Sequence, residues 1–138
     1  MSYNIVDHTS KIVWFDLDNT LLHNPLEKYW DMCMRVNALV PVMLFLYKHL
    51  YRNSRLSARS AVVELMTQYY GQGYTIHVLT NRFSEQGWCS IANLERIGVA
   101  HMVTSYVLCG GRKSTLSLPG IVVGDKVSDN VGDVFIHV

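Results

Sequence analysis

A chain of 138 residues with 49% hydrophobic and 17% charged side chains has the make-up of one globular domain able to bury a core unaided, which excludes a disordered chain. Its net charge of +1 argues against broad attraction to nucleic acid or acidic lipid. Cys33, Cys89 and Cys109 are widely separated and lack zinc-ligand spacing, so reduced thiols in a cytoplasmic protein are expected rather than a disulfide framework.

The N-terminal residues Met1 to His8 have neither the basic start nor the apolar stretch of a secretory signal. A first strand is predicted over Ile12 to Phe15, and it stops at Asp16-Leu17-Asp18-Asn19-Thr20. Residues two apart on a strand share a face but stand about 7 Å apart, so Asp16 and Asp18 close on one point if the chain curls just after Phe15. Two anions so close repel each other, and a divalent cation beside them lowers that cost. His23 and Asn24, before Pro25, read as a surface turn.

From about Asn24 to Arg55 there is room for one or two helices, a small insert carrying Tyr29, Trp30, Met32, Met34, Phe45, Tyr47 and Tyr51. Such a segment is expected to pack over the strand ends or to pair two subunits as a homodimer. Its most apolar part, Val36 to Leu50, is too short and too interrupted to span a bilayer, so no membrane association is expected. Lys48, Arg52, Arg55 and Arg59 form the one basic cluster.

Beyond the insert, a helix is predicted over Leu56 to Tyr70, with Val62, Val63, Leu65, Met66, Tyr69 and Tyr70 as its apolar stripe, stopped by Gly71-Gln72-Gly73. A strand follows at Tyr74 to Leu79, then a helix at Ser84 to Ile97. Further strands are predicted at Met102 to Leu108, Ile121 to Val123 and Asp133 to Val138. His77 reads as a partnered interior residue and Cys89 as core. Strands alternating with helices imply an α/β fold, a three-layer Rossmann-like parallel sheet of about five strands, with residues 1–138 as a single domain.

In open parallel sheets ligands bind beyond the carboxyl ends of the strands. The polar residues fall there: Asp16, Asp18 and Thr20 after the first strand, Thr80 and Asn81 after the second, and Gly124, Asp125, Ser128 and Asp129 after the fourth. Taken singly, each group has a plainer reading as a helix cap or a solvated loop.

Together and in this order, Asp16-Leu17-Asp18-Asn19-Thr20, Val78-Leu79-Thr80-Asn81, Lys113 and Gly124-Asp125-Lys126-Val127-Ser128-Asp129 resemble the four motifs of the haloacid dehalogenase (HAD) superfamily. The resemblance implies a HAD-type fold and a Mg²⁺-dependent phosphomonoester hydrolase that works through an aspartyl-phosphate. By similarity Asp16 is the nucleophile, and Asp18 protonates the leaving oxygen and then activates water, a role that favours a raised pKa. Thr80 and Asn81 hold the phosphate with Lys113, for which Arg112 or Lys126 are alternatives. Asp16, Asp18 through its backbone carbonyl, Asp125 and Asp129 hold Mg²⁺.

The expected substrate is a small phosphorylated metabolite or a nucleotide. A phosphatase of nucleic-acid ends or of phosphoproteins is one alternative, and a catalytically weak protein that keeps the fold for binding or regulation is another. Only a short stretch from Ser114 to Leu118 is available before the fourth strand, so the helix that usually carries the motif lysine is expected to be reduced.

Overall fold

The computed structural model describes residues 3–25, 32–33, 35–45 and 56–138. Five strands form one sheet: β1 (Ile12–Phe15), β2 (Thr75–Thr80), β3 (Val103–Leu108), β4 (Ile121–Gly124) and β5 (Val134–His137), ordered β3-β2-β1-β4-β5. Every pair is parallel, with Phe15 opposite Val78 on one side and Val123 on the other. The parallel order puts the carboxyl ends of β1, β2 and β4 side by side, and the chemistry-bearing motifs follow those three strands.

Two longer helices join the strands, α1 (Ser60–Gly71) and α2 (Gly87–Arg96). Val62, Leu65, Met66 and Tyr69 recur on one side of α1 and are all buried. Each such side chain contributes roughly 1.5–3 kcal/mol when taken from water, so this stripe docks the helix. Both helices end the same way. Gly73 and Gly98 adopt positive φ, and Tyr74 and Val99 donate back to the carbonyls of Tyr69 and Leu94. This is a Schellman cap at each end, which only glycine enters without strain.

The two faces of the sheet are covered differently. Val13, Phe15, Ile76, Val78, Ile121 and Val123 pack against α1 and against Leu94 of α2 in the main core. On the opposite face Leu79 and Val122 are covered by Val131, Cys109, Leu116 and Leu118, so the third layer is an irregular crossover instead of a helix pair. The helix before β4 is reduced to a single 3-10 turn, Lys113–Thr115. His77 lies on this face, stacked on Trp14 with centroids 4.5 Å apart and hydrogen bonded to Ser105 at 2.6 Å.

The helix expected from Leu56 begins only at Ser60. Residues before it are drawn into extended contacts: Ala58 bridges Leu22, and Arg59 donates to the carbonyls of Asn19 and Val138. Within the insert, a 3-10 turn spans Asn37–Leu39, and Met43 and Cys33 pack with the buried Cys89 of α2. Met32 and Phe45 are exposed. Tyr29, Trp30, Met34, Tyr47, Lys48, Tyr51, Arg52 and Arg55 lie outside the described residues. Among the described residues no helix is long and apolar enough to cross a membrane.

Candidate active site

Asp16 leaves β1 still attached to the sheet, its N–H donating to the Val123 carbonyl at 2.9 Å. The chain then coils: Leu21 and Leu22 both donate to the carbonyl of Leu17. Asn19 takes φ 57°, in the left-handed region that asparagine tolerates better than most residues. Its amide and the backbone of Asn24 bond reciprocally, at 2.8 and 3.0 Å, which ties the loop shut. The curl required by the two carboxylates is therefore present. Yet it points Asp16 and Asp18 at different neighbours.

Asp16, 5% exposed, is grouped with Asp125 and Asp129 so that one carboxylate oxygen from each lies within 4.8 Å of the others. The Thr20 hydroxyl bonds Asp16 Oδ2 at 3.0 Å. Lys113 Nζ donates to Asp16 Oδ1 at 2.7 Å and to Asp129 Oδ1 at 2.5 Å. Lys113 reaches this place, buried, because its backbone N–H is held by Asn81 Oδ1 at 2.9 Å. Asn81 thus braces the loop that carries the lysine.

Asp129 folds back under the end of β4, its Oδ2 accepting from the Lys126 N–H at 3.1 Å. A Cβ on Gly124 would run into the Asp129 carboxyl, so the glycine of this motif is a space requirement. Asp125 is half-buried, and its carbonyl accepts from His137 Nε2 at 2.8 Å.

Burial raises the Asp16 pKa well above the usual carboxylate value; Lys113 pulls it down and Asp129 adds to the rise. For Lys113, burial works against the charged form, but Asp16 and Asp129 outweigh it and raise its pKa. Three carboxylates facing one ammonium leave two negative charges when all are ionised, and the donor set is entirely hard oxygen. Such a set suits a divalent cation like Mg²⁺, which would also favour the ionised form of Asp16.

Asp18 is in different company. Arg82 grips it with two prongs, Nε to Oδ2 at 2.9 Å and Nη2 to Oδ1 at 2.6 Å, and Asn24 Nδ2 adds a bond to Oδ1 at 2.8 Å. Burial opposes ionisation here too, but the Arg82 charge and these bonds prevail and hold the pKa below the ordinary value. The raised pKa expected for this residue is thus reversed, because its nearest neighbour is a guanidinium. Its carboxylate lies outside the three-aspartate group.

Two residues here were missed by the sequence reading. Asn24, expected in a surface turn, is 1% exposed and bonded to Asp18, and Arg82 stands outside the residues whose pattern pointed to chemistry. The available signal was that Arg82 continues the Thr80-Asn81 motif directly. Thr80 is buried, and its hydroxyl accepts from the Arg82 N–H at 3.2 Å. Lys113, for which Arg112 and Lys126 were the alternatives, supplies the side-chain contact to Asp16 and Asp129, and Lys126 bonds Asp129 through its backbone N–H. Beside the loop, Asn19, His23, Asn24, Pro25, Leu56 and Ser57 line an open hollow of about 440 Å³.

No family model matches the chain, and no curated protein matches it. Among solved structures, a HAD-superfamily hydrolase from Ehrlichia chaffeensis is similar, with a TM-score of 0.52 at 17% identity, over 86% of this chain and 80% of that one. A hydrolase from Streptococcus pneumoniae TIGR4 has a TM-score of 0.52 at 18% identity, over 90% of each chain. At these identities the likeness is one of fold.

Proposed function

We propose that this chain is a Mg²⁺-dependent phosphomonoester hydrolase acting through an aspartyl-phosphate on Asp16. The observation that carries the reading is the Asp16, Asp125 and Asp129 group, with Asp16 and Asp129 buried and the buried Lys113 bonded to both. Asp16 offers a carboxylate oxygen at the rim of a parallel sheet, where a phosphorus atom can approach it. Lys113 neutralises charge on the transferring group, and the hydroxyl of Thr80 with its neighbouring backbone holds phosphate oxygens. Asp16, Asp125, Asp129 and the carbonyl of Asp18 would hold the Mg²⁺, which when bound screens the negative charge gathered there.

Asp18, kept ionised by Arg82, is suited to take a proton from the water that hydrolyses the aspartyl-phosphate. A net charge of +1 weighs against a nucleic-acid substrate, so the substrate of this reading is a small phosphorylated metabolite or a nucleotide.

The test is hydrolysis of 4-nitrophenyl phosphate with Mg²⁺. Turnover should disappear on chelation and in Asp16→Asn, and turnover that survives in Asp16→Asn would refute the nucleophile. Stoichiometric metal binding with no turnover across a panel of phosphate esters would instead favour a binding role.

A further inference from the structure

We infer that Arg82 is a positioning residue which aims the Asp18 carboxylate at the water that breaks down the phosphoenzyme; this rests on the hydrolase reading above. Arg82 is 1% exposed, among the largest fully buried side chains of the described residues. Its two-pronged grip fixes both oxygens of Asp18. The remaining terminal nitrogen, Nη1, is anchored on α2, to Ser90 Oγ at 3.1 Å and Asn93 Oδ1 at 2.9 Å. Ser90 in turn donates to the Gln86 carbonyl at 2.9 Å. The guanidinium is therefore held from the helix on one side and closes on Asp18 on the other. An arginine spent on substrate phosphate would present its fork to the rim beside Asp16, whereas this fork faces Asp18.

The geometry matters because Asp16 and Asp18 are only two residues apart. Arg82, with two bonds to the Asp18 carboxylate, and Asn24, with one, keep it apart from the acidic group around Asp16. A carboxylate misplaced by about 1 Å costs on the order of a hundredfold in rate. In the step concerned, the water oxygen bonds to phosphorus, the bond from phosphorus to Asp16 breaks, and the water proton passes to Asp18 and then to solvent. Atoms and charge balance, with inorganic phosphate as product.

This role has a kinetic signature. With 4-nitrophenyl phosphate the leaving group needs little help, so formation of the aspartyl-phosphate proceeds while its breakdown stalls. In Arg82→Lys and Arg82→Met, kcat should fall by on the order of a hundredfold and KM should fall with it, leaving kcat/KM within about threefold of wild type. A burst of one nitrophenol per chain should precede the slow phase. Asn93→Ala, which removes one anchor of the guanidinium, should show the same pattern at smaller size, and it decides the matter if the Arg82 variants do not fold. In an Asp18→Asn background, Arg82→Met should cause no further loss.

A fall in kcat/KM equal to that in kcat, with no burst, would overturn the inference in favour of a substrate-binding or purely structural arginine. So would unchanged kcat. A wild-type chain that hydrolyses no phosphate ester would remove the hydrolase reading and this role together, whereas an active wild type with unaffected Arg82 variants would remove the role alone.

Discussion

Asp16 and Asp18 are the same side chain two positions apart, both buried, and their surroundings move them in opposite directions. Asp16 sits among carboxylates with one lysine, and burial raises its pKa. Asp18 is also penalised by burial, but a two-pronged arginine and an asparagine amide reverse the outcome. Burial prevails at Asp16, whose one lysine is shared with Asp129, and is overcome at Asp18 by the guanidinium and its hydrogen bonds. The first environment is left short of positive charge, as a cation site should be. The second is already balanced.

Removing a partner should separate the two environments most sharply. Arg82→Met leaves the Asp18 charge buried without its guanidinium, which is expected to cost about 3–5 kcal/mol in urea unfolding. Mg²⁺ should not restore that loss. Lys113→Met also strands buried carboxylates, but there added Mg²⁺ should recover much of the stability, because it can occupy the same acidic group. Equal rescue of both variants would erase the distinction.

A smaller effect is expected from Gly124→Ala. Its new Cβ meets Asp129, so the aspartate must move and the cost should be about 1–3 kcal/mol, with Mg²⁺ affinity falling as well. Calorimetric titration and thermal melts check the two parts. Unaltered metal affinity would show that Asp129 does not need its present place.

The smallest expected effects lie in the pH dependence of thermal stability. For Asp18 the folded pKa is lowered, so its stabilisation is present above the unfolded value of about 3.9 and is lost as pH falls through the folded value. Lys113 is raised, so its contribution is complete below about 10.4 and is lost only as pH climbs through the folded value. Asp16 is raised and acts the other way, favouring a protonated folded state until a cation arrives. The gain in melting temperature from Mg²⁺ should therefore grow with rising pH, since binding displaces a proton from Asp16. A gain independent of pH would place the cation elsewhere.

Much of the fold was legible because each strand announces itself locally. Ile121-Val122-Val123 between glycines, and Ile12 to Phe15 before an acidic turn, need no distant information. α1 starts four residues later than the residue types suggest, since Leu56 to Arg59 have ordinary helical residues and tertiary bonds to Leu21, Leu22, His23, Asn19 and Val138 keep them extended. At the site, the aspartates and Thr80 stand in contiguous motifs, so their meeting at one rim follows from parallel topology. Arg82 and Asp18 are 64 residues apart, and nothing in either local sequence states that they touch. Asn24 was hidden for a related reason. Polar residues before a proline usually face solvent, whereas this one is turned inward by its exchange of bonds with Asn19.

The most direct measurement is calorimetric titration of Mg²⁺ into the wild-type chain beside Asp125→Asn, Asp129→Asn and Arg82→Lys. One ion per wild-type chain, lost or greatly weakened in both aspartate variants and kept in Arg82→Lys, is the expected result. Absence of binding to the wild type, or binding that both aspartate variants retain at full strength, would contradict the assignment of a cation to Asp16, Asp125 and Asp129.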